Sequence, residues 1–217
     1  KTLFLRRPAG VAIFRLPPAL LNPAAAAVEA AQRACIGIDC PHGLYPSINI
    51  DRPQGVYEAV HYLHSIDRRH IAYFGPRHDR SRLDGYERAI SELNLAPITV
   101  EAPATENSHI EAAINQLLAC NPRPDAVQVF SDVLAMQLLA GLHKRGVGVP
   151  NDIAVIGFDD RAVAALAWPK LTTVAQPNRE VGEAAAQALL ARIENKPPPA
   201  AGWSRSLPTT LVIRESA

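Results

Sequence analysis

The sequence predicts an α/β protein of two lobes, each an open parallel sheet flanked by helices. Three observations carry this expectation. Short apolar runs bounded by Gly, Pro or Asn alternate with segments of helical periodicity, such as Val56, Ala59, Val60, Leu63 and Ile66. Strands alternating with helices of that length form right-handed βαβ units and parallel sheets. The strands also fall into two groups, before and after residue 51, and two lobes accommodate them more naturally than one sheet of eight or more. With 217 residues, 48% hydrophobic and 20% charged, the chain holds one large or two small domains with a proper core.

In order, residues 11–14 after Pro8-Ala9-Gly10 read as a strand. Residues 17–34 are rich in Pro and Ala, and Asn22 is placed to cap a helix with Pro23 at its first position, where a missing N–H costs nothing. Strands follow at 34–38, ending in Asp39, and at 47–50, ending in Asp51. Pro53 opens an amphipathic helix. The run 71–74 stops at Gly75-Pro76, and Ser81 is placed to cap the next helix, which buries Leu83, Tyr86, Ala89, Ile90 and Leu93. Strand 98–100 and a loop precede Ser108 and Glu111, spaced as a capping box. Strand 126–130 leads into Ser131-Asp132 and a helix over 133–144 closed by Gly146. The run 153–156 lies between Pro150-Asn151 and Gly157, and reads as a short buried strand with Phe158, Asp159 and Asp160 at its carboxyl end. A short helix over 161–166, a longer one over 180–194 stopped by three prolines, and closing strands within 207–213 complete the chain.

Composition excludes several roles. The net charge is +1, and the only basic clusters are Arg6-Arg7 and Arg68-Arg69-His70, so phosphate contacts do not explain this chain by itself. Three cysteines (Cys35, Cys40, Cys120) without a CxxC point to thiols in a reducing cytoplasm, not to a disulfide framework or zinc site. His61 and His64 lack a third ligand at matching spacing and read as surface residues. No run approaches the length of a membrane span, and residues 1–7 contain too short an apolar block for a signal peptide. No Gly-x-Ser-x-Gly elbow, phosphate loop or dinucleotide fingerprint occurs. Asp159-Asp160 suggests acid–base work only superficially, because adjacent residues at a strand end point apart and no nucleophile accompanies them. The expectation is a protein that is not an enzyme and needs no cofactor or metal.

Six blocks, in order, resemble the effector-binding core of the lactose-repressor/galactose-repressor (LacI/GalR) family of bacterial regulators. They are INIDRPQGVYEAVHYL (48–63), RRHIAYFGP (68–76), SRLDGYERAI (81–90), PDAVQVFSDVLAMQLLAGLHKRGVGVPNDIAVIGFDD (124–160), WPKLTTVAQP (168–177) and LVIRES (211–216). Asp67 departs from the pattern, standing where glycine is usual. The resemblance implies the two-lobed periplasmic-binding-protein (type I) fold with three crossovers, near Ile50-Asp51, Val174–Pro177 and Pro208. It implies an N-terminal lobe over 1–50 and 177–207 and a C-terminal lobe over 51–174 and 209–217. It also implies that the first lobe is truncated before Lys1, and that operator DNA is met through a helix-turn-helix this chain does not contain. By the same resemblance the protein is a cytoplasmic homodimer. A small polar effector, a sugar or similar, controls its operator binding by closing the lobes. The alternative with the same fold is a periplasmic sugar-binding protein of a transport system.

The resemblance and the carboxyl-end rule for open α/β sheets select the candidate ligand residues. Arg82 holds the family's ligand-arginine position; a guanidinium suits hydroxyl-rich or anionic ligands, and the alternative is a surface arginine. Asp159 holds the ligand-carboxylate position, with helix capping as the alternative and Asp160 the better cap. Ser131 and Asp132 stand where Asn-Asp is frequent, Asp132 also being a possible cap. Thr105 falls where some relatives place a stacking aromatic, which leaves ring stacking to Phe158 or to a residue elsewhere, Phe158 being equally a core candidate. Asp39, ending a first-lobe strand, corresponds to a cleft or hinge carboxylate.

Overall fold

The computed structural model describes residues 8–15, 18–40, 45–103, 110–194 and 203–217. Two compact units emerge, Lys1–Asp51 with Pro177–Leu207, and Arg52–Gln176 with Pro208–Ala217. The α/β class holds in both.

The second unit is built on a six-stranded sheet. Its parallel strands are β4 (Ile71–Gly75), β5 (Ile98–Glu101), β6 (Ala126–Val129), β7 (Ala154–Asp159) and β8 (Thr172–Ala175); β10 (Thr210–Val212) runs antiparallel to β8. The order is β10-β8-β7-β6-β4-β5. Alternate side chains feed two cores. Ala72, Phe74, Val127, Val129 and Val155 pack with α4 (Ile110–Leu118), α5 (Asp132–Lys144) and α6 (Ala162–Leu166). Ile71, Tyr73, Ala126, Ile156 and Phe158 pack on the other face with α2 (Arg52–Ser65) and α3 (Arg80–Glu92). Covering both faces explains why these strands are apolar almost throughout.

The first unit has a four-stranded sheet in the order β1-β2-β3-β9: Gly10–Phe14, Ala34–Ile38, Ser47–Asp51 and Ser204–Pro208. The first three run parallel. Its helices are α1 (Pro18–Ala30) and α7 (Asn178–Ile193). Val181 and Ala185 of α7 pack on Ile48 and Leu207, while Cys35 and Cys40 are buried with Ile13, Val28 and Tyr45.

Several local expectations are corrected. Helix α1 begins at Pro18, so Asn22 and Pro23 lie inside it; Pro18 takes the first-position role. Asp79 caps α3, accepting from the Ser81 N–H at 3.0 Å. Helix α7 begins at Asn178, ahead of Glu180. Strand β7 does not stop at Gly157 but runs on to Asp159. Gly157 is there for space, because a Cβ at that position would stand 2.4 Å from Asp132 Oδ1 and 2.8 Å from Leu171 Cδ2. The proposed Ser108 cap lies outside the described residues. Glu111 instead binds Arg145 at 2.5 Å and Lys144 at 3.5 Å, tying α4 to the end of α5.

Candidate functional site

Strands β5 and β6 lie on opposite sides of β4. Connections leaving β4 and β5 therefore run in opposite senses, and the carboxyl ends of β4 and β6 open a crevice of the kind that takes ligands in α/β sheets. Four segments deliver side chains to that edge. Strand β4 leads into α3, with Arg82 in its first turn; β6 leads into Phe130 and Ser131; β7 ends at Asp159; and β8 leads to Gln176.

Arg82 and Asp159 form the centre. Arg82 is only 3% exposed, and its Nη2 donates to Asp159 Oδ1 at 3.1 Å. Its guanidinium lies 4.3 Å from the ring centroids of both Phe130 and Phe158, two cation–π contacts that restrain the fork. Burial pulls the Arg82 pKa below its ordinary value, and the Asp159 charge works against that pull; an arginine nonetheless stays charged. Gln176 Nε2 donates to the same Asp159 oxygen at 2.5 Å. Arg161 Nε stands 3.8 Å from the other. Asp159 is the more open partner of the pair, with 17% of its side chain exposed against 4% for Arg82. The backbone is strained to present it: φ is +113° at Asp159 and +51° at Asp160. Each such non-glycine residue costs on the order of 1–3 kcal/mol, and this kind of strain concentrates at functional sites.

The structure brings Arg82, Asp159, Ser131 and Phe158 to this edge but gives them unequal roles. Phe158 is fully buried beneath Arg82, so it supports the arginine and presents no face for stacking. Phe130, half-buried and at the same distance from the arginine, is the more accessible ring. Ser131 caps α5, accepting from the Leu134 N–H at 3.3 Å, which leaves its hydroxyl proton to donate. Asp132, fully buried, turns inward. It accepts from Thr173 Oγ1 at 2.5 Å and from the Arg161 N–H at 2.7 Å, joining the starts of α5 and α6 to β8. Burial raises its pKa to about 6, and the neighbouring Asp159 and Asp160 add to the rise. Asp160 does not cap α6, whose N-cap Arg161 has no side-chain cap bond; it pairs with Arg214 at 2.7 Å.

Thr105 lies outside the described residues. Asp39 belongs to the first unit, where it ends β2 with φ +56° and pairs with Arg15 at 3.1 Å. Sequence reasoning missed Phe130 and Gln176 as members of the site. The available signal was position: each directly follows a buried strand at the carboxyl edge, as Asp159 ends one. Among the described residues no group of three His, Cys, Asp or Glu is placed to hold a metal ion, and no helix is long and apolar enough to cross a membrane.

Comparison with known proteins supplies the wider context. Residues 60–217 match the family model of a periplasmic binding protein-like domain. The chain is 35% identical over 160 residues to catabolite control protein A of Priestia megaterium, a match covering 70% of this chain and 47% of that protein. It is 37% identical over 158 residues to the HTH-type transcriptional repressor PurR of Vibrio atlanticus, covering 66% and 45%. The matched region thus spans about half the length of these curated relatives. Among solved structures, the transcriptional regulator CelR in complex with cellobiose superimposes with a TM-score of 0.85 at 28% identity, covering all of this chain and 68% of that one. A LacI family transcriptional regulator from Enterococcus faecium with bound ribose gives 0.85 at 25% identity, covering 99% and 81%.

Proposed function

The chain belongs to the LacI family of transcriptional regulators with a periplasmic binding protein-like domain, and on that premise we propose that it is the effector-binding and dimerisation core of such a regulator. The observation that carries the reading is the Arg82–Asp159 pair: a buried, aromatic-clamped guanidinium joined to a strained, partly open carboxylate at the switch point of a parallel sheet. That arrangement offers fixed donors and acceptors to a small polar molecule without a nucleophile, so the site binds and does not catalyse. Cellobiose in one structural neighbour and ribose in another support a sugar as the class of effector. The curated relatives are regulators, which favours this reading over a transport protein.

The effector binds the operator-competent and operator-incompetent states of the intact cytoplasmic regulator unequally and so shifts their populations; a coupling of about 1–3 kcal/mol suffices. Operator contact is made by a DNA-binding module outside this core, since a net charge of +1 gives the core no basic footprint of its own. Dimerisation is supported by Leu166 and Trp168, 83% and 89% exposed on the segment around α6, because large apolar side chains gathered at one place mark contact surfaces. The test is operator binding by the full-length regulator, titrated with a panel of sugars. One sugar should change operator affinity by roughly 5–150-fold, the range of that coupling. A full-length protein that binds no operator at any sugar concentration would overturn the regulatory reading.

A further inference from the structure

We propose that a groove at the edge strand β5 is a second small-molecule site, separate from the Arg82–Asp159 edge, and that it takes a small monocarboxylate with an apolar body. The groove has a volume of about 570 Å³ and lies between the start of α3, β5 and the turn that follows α4, a size that suits a small ligand. Strand β5 is the last of its sheet, which leaves that side open. The partners of Asp159, namely Arg82, Arg161 and Gln176, are absent from the groove's described wall. The two sites therefore stand or fall independently.

The ligand class follows from which charges are committed. Arg77 and Arg80 are the cations of the described wall, and Glu87 is its carboxylate. Arg80 is committed. It donates to both Glu87 oxygens, through Nη1 at 3.2 Å and Nη2 at 2.5 Å, and Asp84 stands 2.5 Å from the same Nη2. Arg77 is held in place without being neutralised to that degree. Its Nη2 donates to the Thr99 carbonyl at 2.7 Å, which anchors the guanidinium at β5 and leaves most of its five donors unspent. Its carboxylate partner, Glu101, stands 3.7 Å from Nε, and the two side chains are 58% and 52% exposed. An exposed pair of this kind contributes little, and Glu101 also accepts the Arg77 backbone N–H at 3.0 Å. The wall thus carries one cation in excess, with an open fork suited to a carboxylate. A phosphate ester would bring a second negative charge that the wall does not match, close to Glu87. Leu83, Pro97, Ile98 and Pro122 supply the apolar part of the wall. Ile98 is fixed there, because its N–H donates to the Tyr86 hydroxyl at 2.8 Å. One charged end beside one apolar slot selects an amphipathic monoanion.

The groove carries its own reporter. Cys120 lines it, and the other two thiols, Cys35 and Cys40, are buried at 3% and 4% exposure. The test uses benzoate as the probe, with calorimetry to measure binding and the rate of Cys120 alkylation by iodoacetamide to locate it. Benzoate should bind saturably and slow Cys120 alkylation with the same midpoint. Arg77→Gln, at an exposed position that leaves the circular dichroism unchanged, should weaken both effects at least tenfold, the loss expected for a charge-assisted hydrogen bond. Benzyl alcohol keeps the ring without the charge, and acetate keeps the charge without the ring; each should bind at least tenfold more weakly than benzoate. Phenyl phosphate should bind no more tightly than benzoate. The proposal is overturned if benzoate shows no saturable binding, or if it binds without slowing Cys120 alkylation. Benzoate affinity that Arg77→Gln leaves unchanged would place the anion elsewhere and overturn it too. Tighter binding of phenyl phosphate than of benzoate would overturn the monocarboxylate assignment.

Discussion

At the scale of the residue, Asp159 does two things that compete. Its carboxylate neutralises the buried Arg82, and its backbone sits at φ +113°, where a side chain is unfavourable. Substitution separates the two. Asp159→Ala and Asp159→Gly both leave Arg82 unpaired, a loss of order 3 kcal/mol for a buried pair, but only glycine relieves the backbone. Asp159→Gly should therefore be the more stable of the two by about 1 kcal/mol in urea unfolding; equal stabilities would show that the strain is not there. Asp132 makes a prediction about pH. Its folded pKa of about 6 lies above the ordinary 3.8, so the folded state binds this proton more tightly than the unfolded chain does. Stability from this group therefore grows as pH falls from above 6 toward 4, and is lost as pH rises through 6, with a span on the order of 2–3 kcal/mol. Unfolding free energies measured from pH 4 to 7.5 should show this slope in the wild type and lose it in Asp132→Asn, which keeps an acceptor for Thr173.

At the scale of the element, backbone demands explain both the matches and the departures. Asp67 follows the end of α2 with φ +64°, the left-handed position that glycine fills most easily. Asp67→Gly should accordingly raise stability by about 0.5–1 kcal/mol; a fall would mean that the exposed Asp67–Arg69 pair at 2.9 Å outweighs the backbone. Strand cores were legible because β4, β6 and β7 must be apolar on both faces, and their positions are those the runs 71–74, 126–130 and 153–156 suggested. Their ends were not. Gly157 looked like a terminator because a small residue is ambiguous in one dimension, whereas in space it makes room for Asp132. Caps slipped for a related reason: Asp79 and Ser81 are both good caps two residues apart, and Asp79 takes the role by accepting the Ser81 N–H. The pairing of Arg82 with Asp159, the centre of the candidate site, was suggested in advance by the family resemblance. That Phe158 faces inward and Phe130 flanks the arginine depends on the pleat of each strand, which the sequence does not register. The LVIRES ending has a physical meaning in the same terms. Arg214 holds Asp160 and the Leu171 carbonyl, and the Ser216 hydroxyl bridges the Thr172 N–H and the Val155 carbonyl, stitching β7 to β8 beneath the site.

At the scale of the whole molecule, this chain is proposed as the sensing part of a larger regulator. A stable interface buries roughly 1,200–2,000 Å², and large exposed aromatics are frequent anchors in such surfaces. Sedimentation velocity should find a dimer for the wild type and a monomer for the double variant Leu166→Asp, Trp168→Ala, with circular dichroism unchanged; a double variant that remains dimeric would place the interface elsewhere. The central proposal, that Arg82 and Asp159 hold a small polar ligand, is tested most directly by isothermal titration calorimetry of a panel of neutral sugars against the wild type and Asp159→Asn. The account predicts saturable binding of one sugar to the wild type and at least a hundredfold weaker binding to Asp159→Asn, whereas equal affinity for both proteins would contradict it.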